Sequence, residues 1–126
     1  MGAATGIRTN MVVMADSNGR RYNLKVHIRE CHHDDGTSCP VIDLMRETIS
    51  ARGISRIGLW RKCLPSEEDV ERGLEPCATY LNQEVEAVAR RKIGEGFSVV
   101  ERFDLTSNYL LNVYRDFKSG GVFNFK

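Results

Sequence analysis

The chain has 126 residues, of which 41% are hydrophobic and 28% charged, and its formal net charge is +1. This composition excludes a disordered chain, and the near-neutral charge argues against a surface built as a whole to follow a phosphate backbone. The length suits one domain that buries roughly two thirds of its unfolded surface. We therefore expect a flexible N-terminal arm at residues 1–9 and a single domain at residues 10–126.

Nothing in the sequence predicts secretion or membrane insertion. No apolar run approaches the roughly 20 residues that cross a bilayer, and residues 1–10 lack the charged start and apolar middle of a signal peptide. We therefore expect a cytoplasmic protein without membrane contact. In a reducing compartment its four cysteines are expected to be free thiols and not a disulfide framework.

The first predicted elements are two strands joined by a tight turn. Residues 11–14 are apolar, and in residues 22–28 apolar and polar side chains alternate, which is typical of strands. Asn18-Gly19 lies between them and favours a two-residue turn with positive φ at both positions. The sequence therefore predicts a β-hairpin.

A helix and a short strand are predicted next. Thr37 or Ser38 can cap a helix with Pro40 in its first turn, and Gly53 can end it. The apolar residues at helical spacing between these points are Val41, Ile42, Met45 and Ile49. Residues 54–64 alternate in polarity, which favours a short strand.

A longer helical segment follows. Ser66 and the three acids after it form a typical helix start. Pro76 predicts a break, with a short helix ending near Gly73 or Leu74 and a longer one reaching Ile93. One apolar face continues across the break, formed by Val70, Leu74, Cys77, Leu81, Val85 and Val88.

The C-terminal segment returns to a strand pattern. Apolar and aromatic residues alternate with polar ones from residue 97 to residue 125, interrupted by turn-forming residues at 106–108 and 118–121. This pattern predicts a three-stranded antiparallel meander. The complete prediction is an α+β fold in the order β-β-α-β-α-β-β-β, a mainly antiparallel sheet with helices packed on one face.

The loop at residues 31–39 is the densest in chemically active side chains. Thiolate and imidazole bind zinc, so Cys31, His33 and Cys39 are candidate metal ligands, with Cys63 or Cys77 as a possible fourth. Seven residues separate Cys31 from Cys39, whereas structural zinc sites use closer pairs. The spacing therefore favours a protein without a cofactor, with zinc as the alternative.

The same loop allows a second interpretation. A cysteine in the first turn of a helix ionises more easily, so Cys39 could be a reactive thiol with His32 or His33 as its base. No residue pattern marks an orienting group or a substrate pocket. The sequence therefore favours a protein that is not an enzyme.

Basic residues cluster at two places in the sequence. The first cluster comprises Arg46, Arg52, Arg56, Arg61 and Lys62, and the second comprises Arg90, Arg91 and Lys92. If the fold brings both beside Trp60, they could form a platform for RNA or another polyanion. The candidate residues for that contact are Arg61, Lys62, Arg90 and Arg91. Acids interleaved with them favour a solvated charged face instead.

The aromatic C-terminal segment leads to the main functional hypothesis. A meander with apolar side chains on both faces has more apolar surface than one helix layer covers, and such a sheet can dock another chain. The candidate contact residues are Trp60, Leu110, Tyr114, Phe123 and Phe125. We therefore expect a non-catalytic protein-binding module, either a small subunit or adaptor of an assembly or a homo-oligomer. Zinc or thiol chemistry and polyanion binding are the alternatives.

Overall fold

The computed structural model describes residues 6–64 and 67–119. Five strands form one antiparallel sheet in the order β4-β3-β2-β1-β5. The strands are β1 Gly6–Ala15, β2 Arg21–His32, β3 Ser38–Ser50, β4 Gly53–Cys63 and β5 Ser98–Arg102, and the helices are α1 Glu67–Gly94 and α2 Ser107–Ser119. The α+β class and the antiparallel sheet are confirmed. The observed order, β-β-β-β-α-β-α, differs from the predicted one.

β1 begins within the predicted N-terminal arm. Gly6 pairs with Arg29 of β2, so residues 6–9 belong to the sheet. The rest of the predicted arm lies outside the described residues.

The first hairpin is present, but its turn is longer than predicted and spans residues 16–20. The Asp16 carboxylate accepts hydrogen bonds from the backbone N–H groups of Asn18 at 3.0 Å and Arg20 at 2.8 Å. Only Gly19 has a positive φ, at 78°, a conformation that glycine adopts without a steric penalty. The carboxylate therefore organises this turn in place of a two-residue primed turn.

The helix predicted after Cys39 is wrong, because these residues form β3. This strand pairs with β2 on one side and with β4 on the other. Ile42 and Leu44 enter the main core, whereas Val41 is buried outside that cluster. A strand buried on both faces shows apolar residues at many spacings, including the three-and-four spacing of a helix.

The two residues predicted to cap that helix lie at a hairpin turn instead. Thr37 is in the turn between β2 and β3, and Ser38 begins β3. The backbone N–H and the hydroxyl of Thr37 both donate to Oδ1 of Asp35, at 3.0 and 2.6 Å. Gly36 has a φ of 85°, which favours glycine. The same polar residues that cap helices also form such turns.

α1 is one helix, so the break predicted at Pro76 is wrong. Leu74 and Cys77, on either side of the proline, lie in the same buried cluster. Packing of a continuous apolar face offsets the hydrogen bond that proline removes. The apolar residues predicted for this face are all buried, namely Val70, Leu74, Cys77, Leu81, Val85 and Val88.

The prediction of a C-terminal meander is wrong over the described residues, because β5 is followed by a helix, α2. Oγ1 of Thr106 accepts a hydrogen bond from the backbone N–H of Tyr109 at 3.0 Å, as an N-cap residue does. Leu110, Val113 and Tyr114 are buried at helical spacing. The residue predicted to lie in a turn is therefore the cap of α2.

The main core combines alternate residues of the sheet with both helices. Tyr22, Leu24, Val26 and Ile28 of β2 belong to the same buried cluster as Leu81 of α1 and Leu110 of α2. The residues between them in β2 point to the opposite face, as strand geometry requires. Neither described helix is long and apolar enough to cross a membrane.

Candidate functional site

A cavity of about 620 Å³ lies at one end of the sheet. Its walls come from the β1–β2 turn, the β3–β4 turn and the chain at the end of α1. Among the described residues of the lining, the basic ones are Arg20, Arg21, Arg46, Arg52 and Lys92, and the only acid is Glu95. We call this site the basic cavity. With five basic groups and one acid, its lining has a formal net charge of +4.

Two of the basic groups are held in ion pairs. Nε of Arg20 lies 2.6 Å from Oδ2 of Asp16, and Nζ of Lys92 lies 3.1 Å from Oε1 of Glu95. Burial acts to raise the pKa of the Asp16 carboxyl, but hydrogen bonds from Arg20 lower it below its usual value. Asp16 therefore stays ionised and holds Arg20 in place.

The remaining three basic groups have no such anchor. Among the described residues, Arg21, Arg46 and Arg52 have no ion-pair partner. Arg46 is half-buried on β3, and the other two are exposed. Their charge is therefore available to a ligand in the cavity.

Two aromatic rings, Tyr22 and Phe97, form one wall of the basic cavity. They meet edge to face with their centres 6.2 Å apart. Lys92 Nζ lies 4.5 Å from the centre of the Tyr22 ring, and the Arg20 guanidinium lies 5.8 Å from that of Phe97. These cation–π contacts position both cations at the wall.

The end of α1 is capped beside the cavity. The carbonyl of Lys92 accepts hydrogen bonds from the N–H groups of Glu95 and Phe97, both at 3.0 Å, and that of Ile93 accepts one from Gly96 at 3.1 Å. Gly96 has a φ of 101°, as is common after a helix end. These hydrogen bonds partly compensate the negative end of the helix dipole.

The two basic clusters of the sequence meet in this cavity, although not through the residues selected from it. Arg46 and Arg52 come from the first cluster and Lys92 from the second. The available sequence signal for the other two members was their place beside the Asn18-Gly19 turn signal, since Arg20 ends the turn and Arg21 begins β2.

The four residues predicted for polyanion binding do not form one site. Arg61 lies on β4 and pairs with Asp43, and Arg90 lies on α1 and pairs with Glu86. The other two, Lys62 on β4 and Arg91 on α1, are exposed. None of the four lines the basic cavity.

Buried carboxylates organise the charged face of the sheet. Asp43 accepts hydrogen bonds from Nε of Arg29 and of Arg61, both at 2.8 Å. The hydrogen bond with Asp43 raises the pKa of Arg61. This cation is therefore committed to a carboxylate of its own sheet.

Glu47 is a second buried carboxylate that binds several side chains of the sheet. Its carboxylate contacts Nζ of Lys25 at 3.1 Å, Nε of Arg56 at 2.8 Å and Nδ2 of Asn23 at 3.2 Å. Burial acts to raise the pKa of Glu47, but these hydrogen bonds lower it to about 2. Glu47 is therefore ionised throughout the neutral range.

The predicted protein-binding residues do not form an exposed surface over the described residues. Leu110 is fully buried and Tyr114 is 7% exposed, because α2 packs into the core. Trp60 is half-buried on β4, with its ring 5.2 Å from that of Tyr80. Phe123 and Phe125 lie outside the described residues.

The exposure of three apolar side chains on β4 was not predicted from the sequence. Ile54 is 58% exposed, Ile57 44% and Leu59 43%. β4 is an edge strand with β3 as its only neighbour in the described sheet. The available signal was its alternating pattern, which predicted the strand but not its place at the edge.

The cysteine-rich loop and Cys63 lie at the end of the sheet opposite the basic cavity. Cys31 of β2 pairs directly with Cys39 of β3. Sγ of Cys39 lies 3.3 Å from Sγ of Cys63 and 3.2 Å from Nε2 of His33. Within residues 6–64 and 67–119, no group of three or more His, Cys, Asp or Glu side chains has the arrangement of a metal site.

Cys39 lacks the environment predicted for a reactive thiol. Burial, together with the neighbouring Cys63 and Cys31, raises its pKa to about 12. The prediction of easy ionisation rested on a helix start, whereas Cys39 lies within β3. The thiol is therefore protonated at neutral pH.

No protein-family model, curated protein or solved structure matches this chain.

Proposed function

We propose that this protein is a non-catalytic binding domain whose basic cavity takes the phosphate groups of a polyanion. The observation that carries the proposal is the convergence of five basic side chains from three separate segments on one cavity, with a single acid among its described lining residues. A cavity of about 620 Å³ is within the usual range for ligand sites.

The unpaired arginines favour phosphate over other anions. A guanidinium group offers parallel N–H donors that match two oxygens of a phosphate. Arg21, Arg46 and Arg52 have no competing carboxylate among the described residues. Their desolvation in the complex is therefore offset by new charge-assisted hydrogen bonds.

The aromatic wall favours recognition of phosphate over recognition of a base. Lys92 lies near both Tyr22 and Phe97, and Arg20 lies near Phe97. A stacking base would have to displace these cations from the rings. We therefore expect affinity that depends strongly on salt and weakly on base sequence.

Two sources of phosphate are to be distinguished, single-stranded RNA and a small polyphosphate. The test measures fluorescence anisotropy of labelled oligouridylate at several salt concentrations, with inorganic triphosphate as competitor. Displacement by low concentrations of triphosphate indicates a small-ligand site, and weak displacement indicates a site for RNA.

The decisive comparison uses two double variants of equal charge. R46A/R52A removes two cations of the basic cavity, and R90A/R91A removes two exposed cations of α1. We expect the first pair to weaken binding by about tenfold or more and to reduce the salt slope by about one per cation. Equal affinities for the two variants, or no binding of either probe at low salt, would contradict the proposal.

A second candidate function is protein docking along the edge of β4 that has no neighbour among the described strands. Its exposed Ile54, Ile57 and Leu59 can contact a strand added to the sheet. β4 itself carries no acid, and its Arg56 and Arg61 are paired with Glu47 and Asp43 of β3. The exposed cation left on β4 is Lys62, so the expected partner is an extended acidic segment of another protein.

A synthetic peptide of alternating valine and glutamate tests this second function. We expect its addition to shift the backbone amide signals of β4 in NMR spectra and the variant Leu59→Lys to abolish the shift. Val100→Lys, on the opposite edge strand, is the matched control. Shifts confined to β5, or none at all, would remove the β4 edge as a docking site.

A further inference from the structure

We propose that Cys39 and Cys63 form a reversible disulfide by exchange with a low-molecular-weight disulfide. The two sulfurs lie 3.3 Å apart on neighbouring strands. A disulfide bond is about 2.0 Å long, so closure requires the sulfurs to approach by about 1.3 Å. This proposal concerns the end of the sheet opposite the basic cavity and is independent of polyanion binding.

The strands around the two thiols are already aligned for this bond. Val41 of β3 pairs with Cys63, and the N–H of Leu64 donates to the carbonyl of Pro40 at 3.0 Å. These contacts join β3 and β4 beside the two sulfurs. Closure therefore needs movement of side chains and no change in strand register.

The two thiols differ in their access to solvent. Cys63 is exposed, whereas Cys39 is 1% exposed. An incoming disulfide can therefore reach Cys63 but not Cys39. Lys62 directly precedes Cys63 and attracts the carboxylates of glutathione, whereas Arg61 is paired with Asp43.

The first step forms a mixed disulfide on Cys63. Its thiolate attacks one sulfur of glutathione disulfide, the sulfur–sulfur bond breaks and one glutathione thiolate leaves. The proton lost by Cys63 passes to solvent, and the leaving thiolate is protonated there.

The second step closes the bridge. Burial and its thiol neighbours hold Cys39 protonated, with a pKa of about 12, so its attack requires a local proton acceptor. Nε2 of His33 lies 3.2 Å from Sγ of Cys39 and accepts this proton in the tautomer that leaves Nε2 bare. Cys39 then attacks the Cys63 sulfur, the bond between Cys63 and glutathione breaks, and the leaving thiolate takes the proton held by His33, which releases a second glutathione. Two thiols are oxidised, and one glutathione disulfide is reduced to two glutathione molecules.

A disulfide fits the group formed by Cys39, Cys63 and His33 better than a metal ion does. Zinc requires donors arranged in a tetrahedron around a common centre, and no such group occurs among the described residues. The contacts instead converge on Cys39, which touches Cys63 and His33. Cys39 is therefore placed to resolve a mixed disulfide.

The test treats the reduced full-length protein with glutathione disulfide, followed by alkylation of free thiols and peptide mapping. We expect loss of two thiols per chain, a peptide linking Cys39 to Cys63, and recovery of both thiols with dithiothreitol. A Cys31–Cys39 bridge, a glutathione adduct that never closes, or thiols protected by one bound zinc per chain would overturn the proposal.

Single variants separate the steps. Cys39→Ser should accumulate the glutathione adduct on Cys63, and Cys63→Ser should form neither adduct nor bridge. His33→Asn should close the bridge about a hundredfold more slowly, and an unchanged rate would remove His33 from the mechanism. Cys77→Ser is the matched control, since Cys77 lies on α1, and it should react like the natural protein.

Discussion

Lys92 holds its ammonium group 4.5 Å from the centre of the Tyr22 ring. Its side chain is 19% exposed and also pairs with Glu95. Because Tyr22 is part of the main core, this one cation links the packing of the sheet to the charge of the basic cavity.

Replacing Lys92 with methionine should therefore affect both stability and binding. We expect the free energy of unfolding in urea to fall by about 1 kcal/mol, since the cation–π contact is lost. Affinity for oligouridylate should fall by about tenfold, since one charged donor is removed. Arg91→Met, on an exposed neighbouring residue, is the control, and an equal effect of the two changes would contradict a specific role for Lys92.

The buried carboxylate of Glu47 predicts a loss of stability in acid. Its folded pKa of about 2 lies below the ordinary value, so its contribution is complete above about pH 4.5 and is lost as pH falls towards 2. The shift corresponds to a contribution on the order of 3 kcal/mol. Urea unfolding at a series of pH values measures it.

Glu47→Gln should lower stability at neutral pH and flatten the decline between about pH 4.5 and 2. The variants should converge at the acid end, where the natural carboxyl is protonated. Glu101→Gln, on an exposed residue of β5, should leave the profile unchanged. A decline of the same steepness in Glu47→Gln would assign the acid sensitivity to other groups.

Leu110 tests whether the C-terminal segment belongs to the core. Leu110→Ala should lower the free energy of unfolding by roughly 2–5 kcal/mol, because it empties space around a fully buried side chain. Asn112→Ala, on the exposed side of α2, should change it by less than about 0.5 kcal/mol. A small effect at Leu110 would favour the original hypothesis that this residue contacts a partner.

Thr106 tests the start of α2. Thr106→Ala removes the oxygen that accepts the Tyr109 N–H and should cost about 1 kcal/mol, with a loss of helical circular dichroism. Thr106→Ser keeps an oxygen and should retain most of the stability. If both variants match the natural protein, the cap contributes nothing to the helix.

Elements with one dominant local signal could be predicted from the sequence. The first hairpin carries Asn18-Gly19 between an apolar run and an alternating run, and the buried face of α1 repeats every three to four residues. By contrast, the residues of β3 satisfy a helical spacing and a two-faced strand equally well. Only pairing with β2 and β4, whose hydrogen bonds come from distant residues, selects the strand.

The candidate sites could be predicted only in part, because they too depend on contacts between residues far apart in the chain. Composition located the basic clusters and the cysteine-rich loop, but not which members approach each other. Arg46 of β3 and Lys92 near the end of α1 line one cavity although they are far apart in the chain, whereas Arg61 is neutralised by Asp43 on the next strand. Such neutralisation depends on strand register, which a local pattern does not contain.

By itself, the sequence determined the class of fold, α+β with a mainly antiparallel sheet, because alternation, turn residues and amphipathic spacing act over a few neighbouring positions. The tertiary structure alone decided that the segment after Cys39 is a strand, that the aromatic segment around Leu110 is a core helix, and that five cations share a cavity. These outcomes depend on contacts between residues far apart in the chain, where hydrogen-bond pairing and burial outweigh local preference.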